Sequence, residues 1–150
     1  TLCSEPGSSK FFLGGIVAYN MKSQEKLLLI DAEYAELNNF ANAFTTFDMA
    51  KNVSQIFGSR IGLSTTGYSL PLYRPETIKE GKCEIDVKIP YAYVCLYDSQ
   101  TDYHIIHKII NDNYDKTANK KMQRAKMQVK IALCGKKLYE DYCSRLISLN

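Results

Sequence analysis

The sequence predicts an α/β fold, a single domain with helices on both faces of a central sheet. Three observations predict it. Strand-like and helix-like patterns alternate along the chain. Residues 89–97 alternate strictly, with Tyr91, Tyr93, Cys95 and Tyr97 on one side and Ala92, Val94 and Leu96 on the other. Two segments, residues 45–57 and the long tail, carry apolar residues at helical spacing.

The chain of 150 residues suits one domain with a sizeable core. Hydrophobic residues at 45% and charged residues at 23% are ordinary for a globular protein. A net charge of +3 is too small to mark a nucleic-acid binder, so no nucleic-acid partner is expected. No apolar run approaches the roughly 20 residues of a membrane span, so no membrane partner is expected. The five cysteines, Cys3, Cys83, Cys95, Cys134 and Cys143, are odd in number and show no CxxC spacing. That argues against a disulfide framework and a zinc site and favours a reducing, cytoplasmic compartment.

The elements follow in order. Pro6, Gly7, Ser8 and Ser9 read as a turn. Lys10 to Asn20 is an apolar run broken once by Gly14 and Gly15, and reads as a buried strand over 11–19. Paired glycines in a strand mark a bulge, a tight helix packing or a close approach to the backbone. Tyr19 and Asn20 stand at its end, where ligands bind in open α/β sheets. A short helix from Ser23 to Ile30, capped by Ser23, and a second from Ala32 to Phe40 come next. Thr45 to Asp48 has the [ST]-x-x-[DE] pattern of a capping box. Phe47, Ala50, Val53 and Phe57 then form a helical stripe that Gly58 stops.

Residues 60–66 read as a second buried strand, ending in Thr65, Thr66 and Gly67. Residues 70–88 hold Pro71, Pro75, Gly81 and many charges, and read as a long loop. Residues 89–97 and 103–110 form an expected antiparallel hairpin through Asp98, Ser99 and Gln100. The tail reads as a helix from about Thr117 or Asn119 to Cys143, buried through Met122, Ala125, Val129, Ala132, Leu133 and Tyr139.

Candidate chemistry is sparse. His104 and His107 are three apart on a strand and face opposite sides, so they make no joint metal pair. No cluster has metal-ligand spacing, so neither a metal nor another cofactor is expected. No Gly-x-Ser-x-Gly elbow is present. The tail helix carries a basic face, Lys116, Lys120, Lys121, Arg124, Lys126, Lys130, Lys136 and Lys137, that reads as solvated. Arg124 stands out because its fork of donors sits in the first turns.

The order of these motifs is specific. Pro6-Gly7-Ser8-Ser9, then Phe12-Leu13-Gly14-Gly15-Ile16-Val17-Ala18-Tyr19-Asn20, then the helix after Thr45, then Thr66-Gly67, then Pro90-Tyr91, together resemble one family. It is the C-terminal domain of the competence/damage-inducible protein CinA, which includes the nicotinamide-nucleotide amidases, or NMN deamidases. The resemblance runs from about Leu2 to about Leu138. It implies a three-layer α/β/α sandwich around a mixed sheet. It also implies metal-free hydrolysis of the carboxamide of nicotinamide mononucleotide to the acid and ammonia. The implied ligand is that nucleotide or a related one. Since both turns follow strands of one sheet, Gly14, Gly15, Tyr19, Asn20, Gln24, Thr66 and Gly67 are expected to converge on one concave site, with Arg124 at its rim as phosphate partner and Tyr19 the candidate catalytic residue.

Two departures bear on activity. The family places a Glu-Ser-Cys-Thr-Gly-Gly motif, with its expected hydroxyl nucleophile, ahead of Pro6; the sequence given opens at Thr1, after that point. The family's first strand and most of a helix fall in the same stretch. Gln24 stands where the family often has Lys, Asn20 replaces a common Ser, and Tyr68 to Pro71 replace Ile-Ala-Gly-Pro. A non-catalytic homologue, binding a nucleotide or serving as an interaction subunit, is the alternative. The open sheet edge is expected to be covered by residues ahead of Thr1 or by a partner, most simply a second copy in a homo-oligomer.

Overall fold

The computed structural model describes residues 2–75 and 84–148. Two 3-10 turns, Leu2–Ser4 and Ser8–Lys10, lead into helices α1 (Met21–Leu28), α2 (Ala32–Leu37) and α3 (Ala43–Phe57). Strand β1 (Ile61–Tyr68) follows, then two short strands, β2 (Leu72–Arg74) and β3 (Ile85–Val87). Strands β4 (Tyr91–Asp98) and β5 (Tyr103–Ile110) precede the long helix α4 (Lys120–Ser148).

The main sheet has the order β1-β4-β5, and both pairings are antiparallel. The alternation in residues 91–97 sets its two faces. Ala92, Val94 and Leu96 are fully buried and pack with Met127, Leu138 and Tyr142 of α4. Cys95 and Tyr97 face the other way, against Ala50 and Phe47 of α3. Helices thus cover both faces, giving the three layers of an α/β/α sandwich. Each fully buried large side chain contributes about 1.5–3 kcal/mol.

Glycine brings α3 close to the sheet. A Cβ on Gly62 would overlap the carbonyl of Ala50. Ser64, two residues on and on the same face, donates its hydroxyl to the carbonyl of Thr46 at 2.5 Å.

Several expectations are corrected. Residues 11–19 form no ladder with any described strand. Their burial nevertheless alternates with a period of two: Phe12, Gly14, Ile16 and Ala18 are half-buried, while Phe11, Leu13, Gly15, Val17 and Tyr19 are exposed. The caps of α1 and α3 are asparagines. Asn20 accepts from the amide of Ser23, and Asn42 from the amide of Thr45, so α1 and α3 each start two residues early. The amide side chain reaches the third helical amide as well as a hydroxyl does. Gly58 ends α3 in the left-handed region, as its position implies. Residues 70–88 are not one loop, because β2 pairs with β3 and buries Ile85 and Val87. Glu76, Lys79, Glu80, Gly81, Lys82 and Cys83 lie outside the described residues.

The tail helix buries a different face from the one expected. Met122, Ala125, Val129 and Leu133 are exposed. The buried positions are Gln123, Met127, Gly135, Leu138 and Tyr142. The helix carries apolar residues on two faces, and spacing alone does not choose between them. Gln123 decides the matter: its amide accepts from Asp115 N at 3.0 Å and donates to Asp115 O at 2.5 Å. Asn119 caps the first turn by accepting from Met122 N at 3.1 Å.

Asp98, with no exposed surface, ties the layers together. Its Oδ2 accepts from Arg60 Nε at 3.0 Å, Arg60 Nη2 at 2.8 Å and the Tyr142 hydroxyl at 2.8 Å. Its Oδ1 accepts from Gln100 N at 2.8 Å. Burial pushes its carboxyl up, but these donors outweigh burial and hold it below the ordinary value of 3.8.

Asp98→Ala is expected to lower the unfolding free energy by about 2–4 kcal/mol, because it strands the Tyr142 hydroxyl and the Gln100 amide. Tyr142→Phe should cost about 1.5–3 kcal/mol; urea titrations at constant m measure both. The depressed carboxyl stabilises the fold fully above its unfolded value near 3.8, and that share is lost as pH falls through the lower folded value. The acid-induced fall in melting temperature should therefore be shallower in Asp98→Asn than in the parent.

Candidate functional site

The segment from Phe11 to Asn20 begins where Gly7, at φ 79°, turns the chain into the second 3-10 turn. Phe12 N donates to Ser8 O at 2.8 Å, which fixes the exit. From there the half-buried residues Ile16 and Ala18 pack with Leu28, Ile30 and Met49 in the α1–α3 layer. The opposite side reaches α4 at both ends. Phe11 stacks on Tyr139 with ring centroids 6.3 Å apart. Tyr19 accepts a hydrogen bond from Arg124 Nη2 at 2.9 Å. The segment thus lies in the layer of the sheet, between its two helical covers.

The two glycines differ in role. A Cβ on Gly14 would overlap the ring of Phe57, so the close approach there is made by the protein itself. A Cβ on Gly15 would meet only the Phe12 ring, at an ordinary 3.4 Å. Both line a groove of about 570 Å³ between the segment and β1. Ser64 and Thr65 line it from the β1 side, Met49, Val53 and Phe57 from α3, and Leu2 and Tyr139 from elsewhere.

Tyr19 and Arg124 meet at the segment's end, outside the groove lining, and Asn20 and Gln24 also lie outside it. Asn20 accepts from Ser23 N at 2.9 Å while capping α1. Gln24 folds back and donates its Nε2 to the carbonyl of Ala18 at 3.2 Å. Arg124 is half-buried, and Tyr19 is 78% exposed. Thr66 and Gly67 lie on β1 opposite Tyr93 and Ala92, also outside the lining. A Cβ on Gly67 would press on Ala92 and on the Tyr91 carbonyl at 2.5 Å, so this glycine serves the β1–β4 pairing.

Other groups have settled roles. His104 rests on Phe47, with ring centroids 4.7 Å apart. His107 pairs with Val94, on the other face from His104. Among the described residues, no group of three His, Cys, Asp or Glu is placed to hold a metal ion. No helix among them is long and apolar enough to cross a membrane. Burial pushes the Cys95 thiol up to about 12 and raises Cys134 as well.

Tyr68, Tyr91 and Tyr93 form a ladder of edge-to-face rings at 5.8 and 5.9 Å. Lys108 lies over the last two, 4.9 and 5.4 Å from their centroids. Burial pushes the Tyr68 hydroxyl up to about 12, and it donates to Asn39 O at 3.0 Å. The strict alternation of residues 91–97 already signals the Tyr91 and Tyr93 part of that ladder. Nothing local in the sequence marks Phe57 and Ser64 as groove residues, because they meet the segment only through the fold.

An antiparallel sheet between helical layers, with a groove along its first strand, defines a three-layer α/β domain. The family model of the CinA C-terminal domain matches residues 1–108, and the chain belongs to that family. A putative competence-damage inducible protein of Streptococcus pyogenes serotype M5 (strain Manfredo) is 38% identical over 71 residues, which are 47% of this chain and 17% of that protein. The same-named protein of Streptococcus uberis is 37% identical over the same length, with the same shares. The chain thus spans less than a fifth of these relatives.

Two solved structures share the fold. A CinA superfamily protein of Klebsiella pneumoniae 700603 superposes with a TM-score of 0.63 at 14% identity, over 93% of this chain and 78% of its own. One from Enterobacter cloacae has a TM-score of 0.63 at 14% identity, over 91% and 72%.

Gly14→Ala is expected to displace the Phe57 ring and cost about 1–3 kcal/mol, as overpacking does. Gly15→Ala should stay within about 0.5 kcal/mol of the parent. Chemical denaturation of the pair separates the two roles.

Proposed function

We propose that this chain binds nicotinamide mononucleotide, or a closely related nucleotide, beside the end of the extended segment, and that residues 1–150 alone do not hydrolyse it. The observation that carries the reading is the hydrogen bond from Arg124 to Tyr19, which spans 105 positions of sequence and holds a guanidinium at the segment's end. A guanidinium has five donors, and Nη2 serves the tyrosine; the fork can meet a phosphate as well. Tyr19 offers a ring and a hydroxyl next to it. Asn20 and Gln24 adjoin it, while Gly14 packs against Phe57 and Gly67 against Ala92. Membership of the CinA family supports a nucleotide as ligand.

Carboxamide hydrolysis needs an activated nucleophile and a stabiliser for the oxyanion. Cys95 and Cys134 are held as thiols by burial. Gln24 is neutral, and its amide is engaged with Ala18. It does not take a proton from a hydroxyl as a lysine amine does. The second reading, an interaction subunit, is favoured by the groove along β1, which is larger than the Tyr19–Arg124 contact needs.

Nicotinamide mononucleotide is expected to raise the melting temperature without release of ammonia. Arg124→Ala should weaken binding about ten- to hundredfold, the usual worth of a charge-assisted hydrogen bond. Tyr19→Phe should weaken it less. Ammonia release that Tyr19→Phe slows would instead assign catalysis to this chain. Absence of both thermal shift and ammonia would end the nucleotide assignment.

A further inference from the structure

We propose that this chain associates with itself front to back: the exposed face of α4 on one copy docks against the exposed face of the α1–α3 layer on the next. This is independent of the nucleotide reading, and it involves the outer helical faces rather than an edge of the sheet.

The outward face of α4 lacks a partner for its charge. Eight of the chain's 19 basic residues lie between positions 116 and 137, with no carboxylate among them. Lys120 and Arg124, and again Lys126 and Lys130, stand four apart on the helix, where like charges repel. Lys136 is held by Glu5 and Glu140, and Lys130 by the Ile110 carbonyl. Lys121, Lys126 and Lys137 make no ion pair among the described residues. Met122, Val129 and Leu133 are exposed beside them, Leu133 at 58%. At 3.6 residues per turn these three fall within about 40° of arc, so they form one stripe. An exposed apolar stripe ringed by unbalanced cations fits a surface that is acidic and partly apolar.

The opposite layer of the same chain has that chemistry. Residues 25–48 hold five carboxylates and one lysine. Leu29 is 75% exposed and Phe44 67%. The ring of Tyr34 meets that of Phe44 edge-on at 6.1 Å, which joins α2 to the first turn of α3. Asp48 follows Phe44 by four residues and shares its side of the helix. Burial raises the Asp48 carboxyl above its ordinary value, and Asp31 raises it further against the pull of Lys51. Neither Asp48 nor Glu33 has an ion pair among the described residues. One layer thus has carboxylates without cations, and the other has cations without carboxylates.

Complementary charge selects how two copies meet. An α4 face on another α4 face sets cations against cations, and two α1–α3 faces set carboxylates against carboxylates. Only the unlike pair attracts, so the contact is heterologous. The two faces belong to opposite covers of the sheet, α4 over Val94 and Leu96 and α3 over Cys95 and Tyr97. A copy docked at one face therefore still offers the other, and association runs on as an open stack rather than closing as a dimer. The paired charges are exposed, so salt screens them.

The test is sedimentation of the 150-residue chain over a range of concentrations, in low salt and in about 0.5 M salt. In low salt the mean mass should rise with concentration past that of a dimer, and high salt should weaken association about tenfold or more. Two paired variants separate the faces: Lys126→Glu with Lys137→Glu on α4, and Glu33→Lys with Phe44→Lys on the other layer. All four positions are exposed, so each variant should keep a melting temperature near the parent's. Each alone should associate at least about tenfold more weakly than the parent. Mixed in equal amounts they should associate again, because each supplies the face the other lacks. A monomer at all concentrations, association indifferent to salt, association that survives either pair of substitutions alone, or a mixture that stays monomeric would overturn the proposal. So would a chain that binds phosphatidylserine vesicles through α4 without associating with itself.

Discussion

A buried carboxylate holds this domain together. Asp98 sits at the end of the central strand, with Arg60 just ahead of β1, Tyr142 far along α4, and Gln100 in the turn to β5. An isolated buried charge costs several kcal/mol, so the chain must bring a donor from each of these elements to one point. That requirement fixes the start of β1 against the end of β4. It also sets how far α4 slides along the sheet, since Tyr142 meets Asp98 in one register only. Tyr103 then stacks on Tyr142 at 5.8 Å, carrying the constraint into β5.

Around that point the two faces are built differently. The α4 face is aliphatic, with Ala92, Val94, Leu96 and Met127 in one cluster. The α3 face is closer and more polar. The absent side chain of Gly62 lets the helix backbone approach, and Ser64 joins the two by a hydrogen bond. Close approach seats α3 tightly on the sheet, and polar contacts near both ends add to the apolar packing of α4. At one end Gln123 is locked to the Asp115 backbone, and at the other Tyr142 is locked to Asp98.

Much of this was legible in the residues. The alternation of residues 91–97 gives both faces of β4 correctly, because a period of two leaves no choice once one face is apolar. The hairpin to β5 and the glycine stop of α3 are local signals and stand where the sequence puts them. Helix caps were less legible, since Asn20 and Asn42 compete with nearby hydroxyls for the same role. The buried face of α4 was illegible for a different reason. Gln123 is polar and yet buried, and only its partner Asp115, folded back from the connection, explains that. The segment 11–19 has the burial rhythm of a sheet strand but no described strand to pair with. The groove was beyond reach from sequence, because its walls come from four separate parts of the chain. Of the candidate residues, Arg124 donates to Tyr19, Gln24 to the carbonyl of Ala18, and Thr66 and Gly67 stand on β1.

The burial of Cys95 has a kinetic consequence. Its thiol lies in the middle strand of the sheet, beneath α3, with no exposed surface. Cys3, by contrast, is exposed near the start of the chain. A thiol-modifying reagent reaches Cys3 at the rate set by the reagent, but reaches Cys95 only when the central strand opens. The two cysteines therefore make an internal clock: one reports the chemistry of labelling, and the other the frequency with which the whole sandwich comes apart.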